Sequence, residues 1–386
     1  MDNAFKDMAM TAFTDLGIRP TQSEGRRCVL HFTPNWFAAT MGTGILAVCL
    51  AQFPNAPALV AAGEVLWLSN IVLFACLSIL YAGKWIRHPR EALRAFSHPV
   101  VSMFFGCIPM GLATIVNGTV IFGLTWFGEA AVPVAIGLWW LDAALAVLAG
   151  LAIPFAMFTR QNHVFEEMSA VWLLPIVACE VTAASGGLLL PHIPGASGQM
   201  TVLFASYVLW ACSVPLALGL LTILFLRMVL HKLPPAHMAS TAFLSLGPIG
   251  TGALGLILFT LNGNAVLIAN GLGVFAGAMS GAALLGAILL WAYGLWWLGI
   301  ALATTARYLL NGPPFNLGWW GYTFPIGVYA VATLRLAAVV HLPAIAIFGG
   351  VLVVALSGIW IVVAIRTCFG AADGTLFADP SLADQA

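Results

Sequence analysis

The sequence predicts an all-α integral membrane protein of ten transmembrane helices, paired as five helical hairpins. Three observations predict it. Of the 386 residues, 61% are hydrophobic and 7% charged, where a soluble domain carries about a quarter charged residues. Ten apolar stretches reach the roughly 20 residues that cross a bilayer core. Prolines recur at matched places in alternate stretches. The formal net charge is zero, so no polybasic surface is offered to nucleic acid.

The stretches are about 33–53, 59–83, 98–122, 132–158, 168–190, 200–230, 238–261, 272–308, 317–340 and 343–367. They divide the chain into an N-terminal tail (1–30), a ten-helix transmembrane domain (31–368) and a C-terminal tail (369–386). Segment 264–275 reads equally as a loop, a short extra helix or an early start of span 8. No secretory signal is expected, since the stretch from Met1 to His31 lacks an apolar core followed by a small-residue cleavage site. Thirteen of the fourteen Lys and Arg lie in the tails, in connections 2–3, 4–5, 6–7 and 8–9, or at the adjoining helix ends. The positive-inside rule then puts both tails in the cytoplasm. The fourteenth cation, Arg335, falls inside span 9.

Odd and even spans differ. Pro109, Pro175, Pro248 and Pro325 stand inside spans 3, 5, 7 and 9, and Pro34 opens span 1. Their near-even spacing along the chain is the signature of a repeated hairpin with the same helix kinked each time. Proline removes a helical hydrogen bond, and the freed carbonyl is tolerated at membrane depth mainly beside protein or a wet cavity. Four matched kinks therefore predict odd helices around a central pore and even helices outside. Sharp breaks would also present partial positive charge to an anion. The alternative is that the prolines only shape packing. Gly273, Gly277 and Gly281 in span 8 permit a close helix approach, within the subunit or between subunits.

Several polar residues fall at membrane depth. Arg335 lies eleven residues after Phe324, which puts the two within about 20° of one face and about 16 Å apart along the axis. Arg335 reads as a fixed charge that attracts anions, or as a structural or snorkelling cation. Glu180 and Asp142 read as proton-coupling groups or as ion-pair partners for Arg335, and Asp142 alternatively as a brace between an outer and an inner helix. Thr43, Asn117, Thr182, Thr251 and Thr323 are candidate hydrogen-bonding groups along an anion pathway. No metal-ligand spacing, nucleophile elbow or phosphate loop occurs, and the seven cysteines are scattered singly. No cofactor, metal site or catalytic residue is expected, which disfavours the rival reading, a membrane-embedded enzyme or sensor.

Four segments carry a family resemblance: "HFTPNWFAATMGTGILA", "HPVVSMFFGCIPMG", "AVWLLPIVACEVTAASGGLL" and "NLGWWGYTFPIGVYAVAT". Together they resemble the tellurite-resistance/dicarboxylate transporter family, over about residues 30 to 368. That family includes fungal malate permeases and sulfite pumps and plant slow anion channels. The resemblance implies quasi-fivefold symmetry around the pore, a pore-plugging phenylalanine on span 9 matched here by Phe324, and homotrimers with one pore per subunit. It implies transport of small anions, C4-dicarboxylates such as malate first, possibly with protons. Sulfite or tellurite efflux and passive anion conduction are the alternatives. The expected location is the lipid bilayer of a plasma membrane, the inner membrane in a bacterium.

Overall fold

The computed structural model describes residues 28–310 and 312–385. Among them every regular element is a helix. Eight helical runs are long and apolar enough to cross a bilayer. One of these, Val101–Thr159, is 59 residues long and holds two expected spans, separated at Gly128. Its φ of +56° suits a residue without a side chain. The first expected span is the shorter apolar helix Pro34–Leu50. The helices are numbered α1 (Pro34–Leu50), α2 (Pro57–Arg87), α3 (101–127), α4 (Ala131–Thr159), α5 (Ala170–His192), α6 (Ala196–His231), α7 (Ala236–Ala269), α8 (Gly273–Leu309), α9 (Leu317–Val340) and α10 (Pro343–Ala372). Segment 264–275 resolves into the last turns of α7, through Ala269, then a turn at Gly271 and the start of α8. Most of the N-terminal tail, with Lys6, Arg19, Arg26 and Arg27, lies outside the described residues.

Burial separates the helices into two sets. In the most apolar part of α5 and α7, 94% of residues are buried, and 72% in α9, against 17–33% in α2, α6, α8 and α10. Every residue from Ala38 to Leu50 of α1 is buried. The inner helices touch in ring order: α1 on α3, α3 on α5, α5 on α7, α7 on α9, and α9 back on α1. Each even helix packs on the odd helix before it and on the one after it. Leucine, valine and phenylalanine side chains such as Leu151, Phe155, Val274 and Val354 face outward, as helices in contact with lipid require.

All five inner helices open as a 3₁₀ helix: Pro34–Phe37, Val101–Gly106, Ala170–Leu173, Ala236–Ser245 and Leu317–Tyr322. The α-helical part follows directly. Pro109, Pro175, Pro248 and Pro325 stand second or third in those α parts, where the missing N–H costs least. What the sequence suggests as an interior break is thus a change of helix type. The backbone stays helical through each proline, so no separated half-helices form there.

A set of tryptophans ties the outer helices to the inner ones. Trp67 of α2 donates its indole N–H to the Ile115 carbonyl of α3 at 3.4 Å. Trp139 of α4 donates to the Thr182 carbonyl of α5 at 2.9 Å. Trp210 of α6 donates to the Gly252 carbonyl of α7 at 3.0 Å. Trp291 of α8 reaches the Thr333 hydroxyl of α9 at 2.9 Å, and Trp360 of α10 the Thr43 hydroxyl of α1 at 3.0 Å. Each even helix therefore reaches forward to the next odd helix, and the last closes on the first.

At the N-terminal end of the inner ring the C-terminal tail folds back. Asp379 forms a buried ion pair with Lys84 of α2 at 2.5 Å, and Lys84 also donates to the Phe32 carbonyl at 2.8 Å. Phe377 stacks on Trp36 with ring centres 4.8 Å apart. Substituting Asp379→Asn leaves the Lys84 charge buried without its partner. The expected loss is about 3–5 kcal/mol of stability, read as a lower melting temperature in detergent. Replacing both partners with Met and Leu should recover most of it.

Candidate functional site

The inner helices enclose a cavity towards their C-terminal ends. It is lined by Val48 of α1 and Gln52 just past its end, Asn117 and Ile121 of α3, Ala184 and Leu188 of α5, Leu254 and Leu258 of α7, and Val331 and Arg335 of α9. Each helix contributes two residues four apart, which is one helical turn. The pairs recur along the chain at nearly the interval of the prolines. The accessible space is about 30 Å³. That admits a water molecule and is too small for a dicarboxylate.

The lining is mostly aliphatic, with three polar side chains. Arg335 is half-buried, and no carboxylate forms an ion pair with it among the described residues. Gln52 donates from Nε2 back to the Val48 carbonyl of α1 at 2.9 Å. The Asn117 side-chain oxygen is buried without a hydrogen-bond partner among the described residues. A lone guanidinium among aliphatic walls attracts anions, because its charge is poorly screened there and its planar fork matches an oxyanion.

Of the residues singled out from the sequence, Asn117 and Arg335 line this cavity. Phe324 is 2% exposed and lies seven residues before Val331, about 10 Å along α9 from the cavity wall. Thr43 accepts from Trp360 of the outer ring. Thr323 donates to the Trp320 carbonyl at 2.7 Å. Thr251 is buried and its hydroxyl has no partner among the described residues. Thr182 turns towards α4 and donates to Asp142 at 2.6 Å.

The two buried acids sit on either side of α5. Asp142 of α4 holds the Thr182 hydroxyl with one oxygen, and its other oxygen has no partner among the described residues. Glu180 lies beside the Ser213 hydroxyl of α6, which itself donates to the Ile176 carbonyl at 2.8 Å. Neither Glu180 oxygen makes a hydrogen bond of good geometry among the described residues. Neither acid lines the cavity or pairs with Arg335.

Sequence reasoning missed Gln52, which sits just past the helical part of span 1. It also missed the aliphatic members of the lining. The available signal was the recurrence, at the proline interval, of paired positions four apart. The five tying tryptophans, Trp67, Trp139, Trp210, Trp291 and Trp360, recur at a similar interval.

Buried inner helices around a cavity with a guanidinium in its wall, inside a lipid-facing outer set, have the build of a membrane transport protein. The chain belongs to the SLAC1 family, described as voltage-dependent anion channel, whose model matches residues 31–368. Its relatives include a sulfite efflux pump, SSU1, of Arthroderma benhamiae, 34% identical over 354 residues, covering 90% of this chain and 93% of that protein. An uncharacterized transporter of Methanocaldococcus jannaschii, MJ0762, is 29% identical over 355 residues, covering 91% and 98%. The malic acid transport protein of Schizosaccharomyces pombe is 23% identical over 345 residues, covering 86% and 76%. The chain is a multi-pass membrane anion transporter of this family.

The Thr182–Asp142 contact makes a prediction about α5. Thr182→Val keeps the shape and removes the hydroxyl, leaving the acid without a donor. The expected cost is roughly 1–3 kcal/mol, measured as thermal or denaturant stability in detergent. Thr182→Ser should retain near-wild-type stability.

Proposed function

We propose that this chain carries small oxyanions through a conduit enclosed by α1, α3, α5, α7 and α9 in quasi-fivefold arrangement, crossing the membrane ten times as five hairpins. The observation that carries this reading is the cavity to which each of the five inner helices gives one turn, with Arg335 as its cation. Phe324 is the gate, buried on the same face of α9 as Arg335. The narrowness of the cavity fits a closed state, which a swing of the Phe324 ring would open.

Sulfite is the first substrate reading, supported by the name and 34% identity of the Arthroderma relative. Malate, the sequence-based first choice, is the second and is supported by the fission-yeast relative's name. Both are small oxyanions suited to one guanidinium and a carboxamide. Thr251, a buried hydroxyl on an inner helix with no partner among the described residues, is the threonine best suited to the pathway. Thr43 and Thr182 serve the outer ring instead, and Thr323 its own helix. Asp142 ties α4 to α5 through Thr182, and neither it nor Glu180, which both lie off the cavity lining, takes part in proton coupling. The tails are cytoplasmic, following the placement of Lys and Arg. A homotrimer in the plasma membrane, the inner membrane of a bacterial cell, completes the reading. Gly277 and Gly281 of α8 support it, because their outward face has no neighbour within 4 Å of an added Cβ.

In proteoliposomes, Phe324→Ala is expected to raise sulfite flux several-fold, and unchanged flux would remove the gate. Arg335→Ala removes a charge-assisted contact worth about 1.5–3 kcal/mol. It should raise the half-saturating anion concentration by about tenfold or more at low salt, and equal affinity would leave Arg335 structural. Glu180→Gln should leave the pH dependence of flux intact. Loss of that dependence would restore the acid as a proton carrier.

A further inference from the structure

The two faces of α9 do different work. Taking about 100° per residue, Val331 and Arg335 lie within about 20° of Phe324 around the helix, and Tyr329 and Thr333 lie about 140–180° away. The structure agrees: Val331 and Arg335 line the cavity, and Tyr329 and Thr333 are fully buried and bonded to α8. There the Trp291 indole donates to the Thr333 hydroxyl at 2.9 Å, and Thr333 donates to the Tyr329 carbonyl at 2.7 Å. The Tyr329 hydroxyl donates to the Trp291 carbonyl at 2.6 Å. The bonds run in both directions between the two helices and close a cycle.

Two glycines from different helices make room for Tyr329. A Cβ on Gly250 of α7 would stand 2.9 Å from the Tyr329 backbone nitrogen, and one on Gly294 of α8 would lie 2.9 Å from Cζ of the ring. Both approaches are closer than side chains tolerate. Tyr329 is thus fixed along its length and at its hydroxyl.

We propose that Trp291, Tyr329 and Thr333 are positioning residues that set the rotation of α9, and through it the placement of Phe324 and Arg335 in the conduit. This rests on the reading of that face as the anion route. A helix turned about its axis by only a fraction of one residue step would carry the Phe324 ring off the conduit axis and Arg335 out of the cavity wall. Loss of the cycle should therefore leave a folded protein with a badly placed gate. The phenotype is leak and weakened anion affinity together.

The test uses full-length protein in proteoliposomes, with Tyr329→Phe, which removes only the hydroxyl, and Trp291→Phe. Each is expected to raise basal sulfite flux at least threefold per folded molecule. Each should add little in the Phe324→Ala background, since both changes act on one gate. Unchanged flux at normal folding yield, or full additivity with Phe324→Ala, would overturn the proposal. A second readout does not depend on transport. With 4-fluorophenylalanine at position 324, the wild type should give one dominant fluorine resonance, and Tyr329→Phe a second environment or a broadened line. An unchanged spectrum would sink the positioning role even if the gate reading stands. A changed spectrum with no effect of Phe324→Ala on flux would sink the gate and leave the positioning role.

Discussion

Hydrocarbon gives an inner helix no hydrophobic reason to stay with its neighbours, because lipid tails are as apolar as leucine. What holds a ring of buried helices must then be close packing and polar contacts that lipid does not offer. Here that role falls to five indole N–H groups, one on each outer helix, each donating to the next inner helix. Tryptophan suits the task. Its body packs as a large apolar side chain and its single donor takes one acceptor. The direction of the bonds matters as much as their number. Since each outer helix already packs on the inner helix before it, reaching forward joins neighbouring pairs, and the bond from Trp360 to Thr43 closes the circle. The closed circle surrounds the inner helices that line the cavity.

The inner helices meet a second demand of the same solvent. A backbone carbonyl left open in lipid costs several kcal/mol, so a break in five adjacent helices would be expensive. Opening each helix as 3₁₀ and, in α3, α5, α7 and α9, passing to α just before the proline avoids that cost. The backbone narrows, the side-chain register shifts, and the proline falls in the first turn of the α segment. The prolines thus mark the level at which the packing of the ring changes. Small residues such as Gly250 let the helices approach closely at that level.

Much of this was legible in the sequence. Length and apolarity placed all ten stretches in helices, and the matched prolines separated odd from even. The rotation of each helix was not legible. Thr43 and Thr182 lie on inner helices and read as pathway hydroxyls, yet they face the outer ring, where Trp360 and Asp142 use them. A threonine looks the same in sequence whichever way its helix is turned. Glu180 reads as a partner for Arg335, but its face of α5 meets α6 instead. Only on α9, where the Phe324–Arg335 spacing fixed an angle, did the sequence carry rotational information, and there the cavity contains Arg335. The tryptophans were in plain view but carry no distinctive neighbours, and indoles at membrane depth ordinarily only pack.

The five ties are not chemically alike. Those to α3, α5 and α7 end on backbone carbonyls, which are rigid parts of their helices. Those to α9 and α1 end on threonine hydroxyls. A hydroxyl turns about one bond and can re-aim its acceptor lone pairs without disturbing the helix that bears it. The ring is thus fastened to backbone at α3, α5 and α7 and to side chains at α9 and α1. Phe324 and Arg335 both belong to α9. Under the proposed gating, α9 must hold Arg335 in register while Phe324 moves, and fastening by side chains suits that better than fastening by its own backbone. The reciprocal bonds of Tyr329 and Thr333 meet that need: they hold α9 firmly at rest, and they can be broken or remade one at a time without unwinding a single turn.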